Sequence, residues 1–203
     1  NNILEDENSN NLYIKITKPC EDLQITPEKI LSNQYLSLFL SNYFLSNYKI
    51  KWIDYYRSFP CKELNSSWLW HVDNYPVGII KGIIFFTDQN SESGAMRYLN
   101  SYKTKIAVKN KYYGLSDDLK RKADISDFLQ SEKPLEDCKI LDGSAGDMYL
   151  FSGNNLHKAC PPNQGYRDVA TFMIVPCLKD YSDSYDHKKI QYNFGWEFPP
   201  WNN

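Results

Sequence analysis

The chain has 203 residues, of which 42% are hydrophobic and 24% charged, values typical of one globular domain with its own core. Lys and Arg number 23 against 25 Asp and Glu, a formal charge of −2 without a basic block, so nucleic-acid binding has no electrostatic support. No apolar run is long enough to cross a bilayer, and the five cysteines are widely spaced without a CxxC pair. We therefore expect a soluble, cytoplasmic protein with reduced cysteines.

The first part of the chain predicts a short strand followed by a helix. Residues 12–16 alternate between apolar and polar side chains, as a half-exposed strand does. Thr26 then offers an N-cap hydroxyl, followed by a proline at the first turn and an acid near the positive end of the helix dipole. Apolar residues keep roughly helical spacing from there to about Tyr48, so we expect a helical flank over about 26–60.

From Trp68 onward the sequence changes to short segments with strand character, separated by turns. A charged, irregular stretch over about 102–137 interrupts them and predicts an insertion that carries a lid or a loop. We expect one domain, mainly β with flanking helices, with a small barrel or jelly roll over about 68–177. An aromatic tail over 178–203 is expected to fold back over this barrel. The predicted strands cover residues 68–71, 77–87, 95–99, 139–141, 147–151 and 169–175.

Two histidines, one aspartate and one arginine form the most informative pattern. His71 and Asp73 are two positions apart, so on an extended segment both side chains point to the same side. His157 lies 86 positions later, after a Gly-Asp turn, a strand and a second turn. Two imidazoles and one carboxylate can occupy one face of an octahedral iron and leave positions open, as non-haem Fe(II) oxygenases require. Arg167 adds a planar cationic fork suited to a carboxylate.

Taken together, these motifs resemble the phytanoyl-CoA dioxygenase-like branch of the Fe(II)/2-oxoglutarate oxygenases, over about residues 68–176. The resemblance implies a double-stranded β-helix, with His71, Asp73 and His157 as iron ligands and Arg167 binding the distal carboxylate of 2-oxoglutarate. It also implies use of O2, hydroxylation of a small-molecule substrate, and release of succinate and CO2. An aspartate at position 73 favours hydroxylation over halogenation. The segments that carry it are residues 70–73, 82–88, 94–99 and 146–157, followed by Arg167.

Four further residues are candidates for the same site, each with a structural alternative. Thr171 shares a strand face with Arg167 and could donate to the same carboxylate, or could be a packing residue. Lys81 interrupts an apolar strand and either faces the interior, pairing with a carboxylate of 2-oxoglutarate or of substrate, or extends to solvent. Arg97 poses the same choice for substrate, and Tyr75 either lines the substrate entrance or belongs to a turn.

Two other functions are consistent with parts of the pattern. A cupin-like metalloenzyme that does not use 2-oxoglutarate would share the barrel, but such sites commonly use three or four histidines, and this chain has three in all. A non-catalytic jelly roll that binds carbohydrate would use the aromatic content of 15%, yet would not explain the order His, Asp, His, Arg. The identity of the substrate lies in variable loops such as 102–137 and is not predicted.

Overall fold

A computed structural model describes residues 26–115, 120–130 and 138–177, together with the backbone of two short strands at 3–4 and 13–16. The aromatic tail over 178–203, predicted to fold back over the barrel, lies outside the described residues. The strands are β1 (Ile3–Leu4), β2 (Tyr13–Ile16), β3 (Asn47–Ser58), β4 (Ile80–Phe85), β5 (Met96–Tyr98), β6 (Lys139–Leu141), β7 (Met148–Phe151), β8 (His157–Lys158) and β9 (Arg167–Cys177). The helices are α1 (Pro27–Leu31), α2 (Gln34–Phe44), α3 (Ser101–Lys109) and α4 (Ser126–Leu129), with a 3-10 turn at Ser66–Trp68.

The segment predicted as a helical flank over 26–60 contains two helices, and its last part is a strand. Helix α1 begins as expected, with the Thr26 side chain accepting from the backbone amide of Lys29. It ends after Leu31, because the Asn33 side chain caps a new helix by accepting from the amides of residues 35 and 36. Helix α2 ends at Phe44, and its C-cap residue Leu45 is left-handed with φ of 52°. The helical flank predicted over 26–60 is therefore wrong from Asn47 onward, where β3 begins.

The strands form two sheets whose described pairings are all antiparallel. The larger sheet has the order β1-β2-β3-β9-β4-β7 and the smaller has the order β6-β5-β8. The inner core contains side chains from both sheets, so the two sheets face each other. This arrangement is a jelly roll with flanking helices, as the sequence predicts. The members of the inner core are Ile83, Phe85, Met96, Leu141, Phe151 and Val169.

Strand β9 separates the inner core from a second core beneath the helices. Val169 points to the inner core, whereas Ala170, Phe172 and Ile174 point to the opposite side, as the alternation of a strand requires. Gly82 of β4 lies directly opposite Phe172, and a Cβ at this glycine would lie only 2.1 Å from the Phe172 ring. The helix-side core comprises Ile30, Leu31, Leu36, Leu40, Ile50, Ile53, Tyr55, Ile80, Ala170, Phe172 and Ile174.

The described part of the predicted insertion packs as a third core and is not an open loop. Helices α3 and α4 lie against Trp70, Leu99 and Leu156, which are all buried. The Tyr112 hydroxyl donates to the carbonyl of Trp70 at 2.6 Å, and so ties this layer to the segment that precedes His71. The layer therefore supports the candidate metal-binding segment from behind. Within the described chain, none of the helices combines the length and the apolar character that a bilayer span needs.

Candidate metal centre

Backbone pairing brings His71 and His157 together. The two residues form an isolated antiparallel bridge, in which each amide donates to the other's carbonyl at 2.9 Å. Directly opposed residues place their side chains on the same face, and the two imidazole centroids are 4.3 Å apart. Asp73 is held beside them because its amide donates to the carbonyl of Gly153 at 2.8 Å. The three predicted ligands thus lie side by side, because His71 and Asp73 are two positions apart and a backbone bridge joins His71 to His157.

The three side chains can hold one metal ion. Asp73 Oδ2 lies 3.4 Å from His157 Nε2, and Asp73 Oδ1 lies 3.9 Å from His71 Nε2. One candidate ligand atom from each residue lies within 4.8 Å of the other two. Metal bonds of about 2.0–2.2 Å allow a single ion to reach ligand atoms at such separations. Both imidazoles are buried, and the carboxylate is nearly so.

Hydrogen bonds to the backbone set the tautomer of both histidines. His71 Nδ1 donates to the carbonyl of Leu69 at 2.8 Å, and His157 Nδ1 donates to the carbonyl of Asn155 at the same distance. Because a carbonyl can only accept, Nδ1 carries the proton in each ring and Nε2 keeps its lone pair. Burial, aided by the neighbouring His157, lowers the pKa of His71 to about 3. His71 is therefore neutral at physiological pH, the state in which imidazole ligates metals.

Asp73 is ionised and lies next to a largely buried cation. Burial raises the pKa of Asp73, but nearby positive charge, that of Lys81 foremost, lowers it, and this pKa lies well below its ordinary value. Lys81 Nζ lies 3.1 Å from Asp73 Oδ2. A Cβ at position 153 would meet the same oxygen at 2.4 Å, so only glycine at Gly153 lets the carboxylate occupy this position.

Lys81 faces the barrel interior, which is one of the two placements that its position in an apolar strand allows. Its ammonium lies 5.6 Å from the ring centre of Trp52, 5.9 Å from that of Tyr75 and 5.7 Å from that of Phe151. The Phe151 ring in turn packs edge-on against His157, with centroids 5.3 Å apart. Three aromatic rings and Asp73 thus surround the ammonium and shield it from water, at distances typical of cation–π contacts.

Arg167 is fully buried, with 0% of its surface exposed, and its guanidinium is only partly satisfied. Its Nε donates to Gln89 Oε1 at 2.9 Å. Neither Nη1 nor Nη2 has a hydrogen-bond partner among the residues that the structure describes. Four N–H donors of a permanent cation are therefore buried without acceptors. Leaving such groups unpaired is strongly unfavourable, so these donors mark a place for an anionic ligand.

Two of the other predicted site residues, Thr171 and Tyr75, lie toward the barrel interior. Thr171 lies on the same face of β9 as Arg167 and is half-buried. Tyr75 lies close to the triad, because its ring centre is 5.9 Å from Lys81 Nζ, which contacts Asp73. Burial first, and then the charges of Asp73 and Asp54, raise the pKa of its hydroxyl. Its backbone is fixed by Asn154, which accepts from the Tyr75 amide at 3.0 Å and donates to its carbonyl at 2.7 Å.

The placement of Arg97 does not support a role in substrate binding. Met96 and Tyr98 contact the inner core, so the residue between them points to the opposite side of the short β5. Arg97 there lowers the pKa of the Cys138 and Cys160 thiols, although their burial has the larger, raising effect. Arg97 therefore faces away from the triad. This is the second of the two placements that its position in a strand allows.

Two buried polar residues of the interior were missed by the sequence analysis. Gln89 contacts Arg167 directly, and its place in a turn-like segment after β4 gave no sign of this. Ser58 is paired with Arg167 in the β3–β9 register, but it fell in the predicted helical flank. Recognising β3 as a strand would have been the only route to Ser58 from the sequence.

Comparison with known proteins gives structural similarity alone. No family model matches the chain, and no curated protein matches it. The fold is similar to that of SnoK, a non-heme alpha ketoglutarate dependent carbocyclase from nogalamycin biosynthesis, with a TM-score of 0.53 and 16% identity over 88% of this chain and 70% of that chain. It is also similar to HygX from Streptomyces hygroscopicus with nickel and 2-oxoglutarate bound, with a TM-score of 0.51 and 12% identity over 87% and 74%.

Two further structures match over a smaller part of their own length. EvdMO1 gives a TM-score of 0.51 and 13% identity over 85% of this chain and 38% of that chain. The epimerase SnoN, in complex with Fe3+, alpha ketoglutarate and nogalamycin RO, gives 0.52 and 11% over 81% and 64%. This chain thus spans less than two thirds of either protein. At these identities the comparisons establish the jelly-roll fold, and the phytanoyl-CoA dioxygenase-like resemblance stays a prediction.

Proposed function

We propose that this protein is an Fe(II)- and 2-oxoglutarate-dependent oxygenase that hydroxylates a small molecule and releases succinate and CO2. His71, Asp73 and His157 would hold the iron, and Arg167 would bind the distal carboxylate of 2-oxoglutarate. The observation that carries the proposal is the buried guanidinium of Arg167, whose Nη1 and Nη2 lack partners in the described structure, inside the same barrel as a metal-binding triad. A metal site alone would give no reason to bury this cation.

The donor set fits iron and 2-oxoglutarate together. Two neutral imidazoles and one carboxylate make a facial triad, which leaves positions open for a chelating co-substrate and for dioxygen. The planar end of a guanidinium matches a carboxylate through two parallel N–H donors. The similar folds include proteins described as alpha ketoglutarate dependent, which supports the same co-substrate here.

When bound, iron and 2-oxoglutarate supply the oxidising chemistry, and the protein supplies ligation, orientation and exclusion of water. His71 and His157 would present Nε2 in fixed tautomers, because both Nδ1 protons are held by backbone carbonyls. Lys81 would keep Asp73 ionised and could offer its remaining N–H donors to a carboxylate of 2-oxoglutarate. Tyr75 and the aromatic rings near Lys81 would line the substrate side and keep water from the metal.

Hydroxylation is proposed as the outcome, although the similar folds include an epimerase and a carbocyclase. A carboxylate at position 73 completes the triad and favours transfer of oxygen over halogenation. The product formed from a turned-over substrate, analysed by mass spectrometry under 18O2, tests this part of the proposal: incorporation of one 18O is expected.

The first test is an anaerobic titration of the Fe(II)-loaded protein with 2-oxoglutarate, followed by visible absorbance. A saturable charge-transfer band is expected, because it requires the metal, an open coordination position and the chelating keto acid together. Iron that binds without the band would favour a cupin-like metalloenzyme that does not use 2-oxoglutarate. Failure to bind iron would favour a non-catalytic jelly roll, such as a carbohydrate-binding module.

A further inference from the structure

The barrel interior contains a second unsatisfied polar side chain beside Arg167. Ser58 is the last residue of β3, and 0% of its surface is exposed. Its Oγ has no hydrogen-bond partner in the part of the chain that the structure describes. Buried hydroxyls are nearly always hydrogen-bonded, because leaving one unpaired costs on the order of 1–3 kcal/mol. A partner supplied by a ligand would remove this cost.

The register of the sheet places this hydroxyl on the same face as the side chain of Arg167. Ser58 and Arg167 are direct partners in the β3–β9 pairing. Directly opposed residues have Cβ atoms about 4.5–5.5 Å apart and point to the same face. That face is the barrel interior, because Tyr56, two positions earlier in β3, packs against the inner core. Ser58 and Arg167 therefore open toward the same space.

Gln89 fixes which edge of the guanidinium is presented to that space. Only 3% of Gln89 is exposed, and its Nε2 donates to the carbonyl of Thr87 at 3.0 Å and to Thr87 Oγ1 at 2.9 Å. These acceptors require the amide nitrogen on that side, so Oε1 must face Arg167 and accept from Nε. With Nε engaged, the Nη1–Nη2 edge is left for a carboxylate.

We infer that Ser58 is the second donor for the distal carboxylate of the co-substrate, and that Gln89 positions Arg167 to receive it. This inference rests on the proposed use of 2-oxoglutarate. It assigns to Ser58 the role that was predicted for Thr171. Thr171 lies four residues from Arg167, about 13 Å along the strand, with the apolar Val169 between them. Ser58 lies on the neighbouring strand directly across from Arg167, and its hydroxyl lacks a partner among the described residues.

The test compares two keto acids that differ only at the distal end. 2-Oxopentanoate has the keto acid head of 2-oxoglutarate and a methyl group in place of the distal carboxylate. Anaerobic calorimetric titrations of the Fe(II)-loaded protein with each compound give two dissociation constants per variant. Ser58→Ala is expected to weaken 2-oxoglutarate binding about 10- to 100-fold, as loss of a hydrogen bond to a charged group does, and to change 2-oxopentanoate binding by less than about twofold. Gln89→Leu is expected to show the same selectivity.

Matched variants separate a ligand contact from a role in packing. Thr171→Ala removes another hydroxyl from the same interior and is expected to leave both affinities within about twofold of wild type. If Ser58→Ala does not fold, Ser58→Thr and Ser58→Val have nearly the same shape and differ in the hydroxyl, and only the threonine variant is expected to retain selectivity for 2-oxoglutarate.

Three results would overturn the inference while leaving the proposed function intact. They are wild-type affinity for 2-oxoglutarate in the Ser58→Ala protein, an equal loss for both keto acids, and a selective loss in Thr171→Ala instead. Wild-type protein that binds iron but neither keto acid would refute the proposed function itself, and the assignment of Ser58 with it.

Discussion

Replacing Arg167 by methionine is expected to abolish tight 2-oxoglutarate binding without weakening the fold. The side chain is fully buried, so an ordinary structural arginine at this position would lower stability strongly when removed. Here the guanidinium makes one described hydrogen bond, from Nε to Gln89, and its two Nη atoms have no described acceptor. The two functions of an arginine, ligand binding and structural support, are thus separable at this position.

The magnitudes are set by those contacts. A bidentate carboxylate contact comprises two charge-assisted hydrogen bonds of about 1.5–3 kcal/mol each, so its loss weakens binding by at least about 3 kcal/mol, or about 150-fold. In the protein without ligand, the substitution leaves Gln89 Oε1 unpaired, at about 1–3 kcal/mol, but removes a buried cation that costs several kcal/mol. The free energy of unfolding is therefore expected to be unchanged or to rise by up to about 3 kcal/mol.

Two measurements check this prediction, with a matched arginine as control. Urea denaturation of the protein without ligand gives the change in unfolding free energy, and anaerobic titration of the Fe(II)-loaded protein gives the affinity for 2-oxoglutarate. Arg57→Met is the control, because Arg57 is in the neighbouring strand and binds both oxygens of Asp168 at 2.7 Å on the partly exposed side of the sheet. It is expected to lower stability by about 1 kcal/mol or less and to leave 2-oxoglutarate binding unchanged. A loss of stability above about 2 kcal/mol in Arg167→Met would show that Arg167 is structural and refute the reasoning.

Three further substitutions test the metal centre. Asp73→Ala is expected to reduce Fe(II) affinity at least about 100-fold, measured by equilibrium dialysis, and to stop succinate release, measured by a coupled assay. Turnover at the wild-type rate would remove Asp73 from the mechanism. Lys81→Met removes a cation 3.1 Å from Asp73, so Mn(II) affinity is expected to rise several-fold while 2-oxoglutarate affinity falls; a fall in both would mean that Lys81 mainly positions Asp73. Gly153→Ala places a methyl group where the carboxylate of Asp73 lies, so metal affinity is expected to fall about tenfold or more with little change in thermal unfolding. The control is Ser152→Ala at the exposed neighbouring residue, which is expected to leave metal affinity unchanged.

The strand texture of the jelly roll and the shared orientation of His71 and Asp73 could be predicted from the sequence because both depend on short-range rules. His71 and Asp73 face the same side by the two-residue period of extended backbone, and that rule needs no knowledge of the rest of the fold. The same period puts Lys81 on the inner face of β4, opposite the residues that enter the helix-side core. The pairing of His71 with His157 is a long-range contact, and resemblance to a known family supplied it.

The parts that could not be predicted depend on irregular backbone and on long-range contacts. Strand β3 has a bulge between Ile50 and Trp52, which puts Ile50 and Ile53, three positions apart, into the same core. This is the spacing of a helix, so the segment continued the helical pattern that precedes it. The bulge also decides that Ser58 faces inward. Gln89 reaches Arg167 across 78 positions of sequence, and no local pattern encodes this contact.

The charges of the interior give a physical reason for the metal and 2-oxoglutarate to bind as a pair. Lys81 is a largely buried cation and Arg167 a fully buried one, and the ionised Asp73 and the inward-facing Asp54 oppose them. A metal dication alone adds two positive charges beside Lys81, and a keto acid dianion alone adds two negative charges beside Asp73. Either ligand alone changes the net charge of a poorly hydrated interior, whereas the two together leave it unchanged. Each ligand should therefore raise the affinity of the other, by the same factor in both directions, as linkage requires. The donors of Arg167 and Ser58 that lack partners among the described residues gain an acceptor only when the dianion binds, so under the proposed function they add to the same coupling.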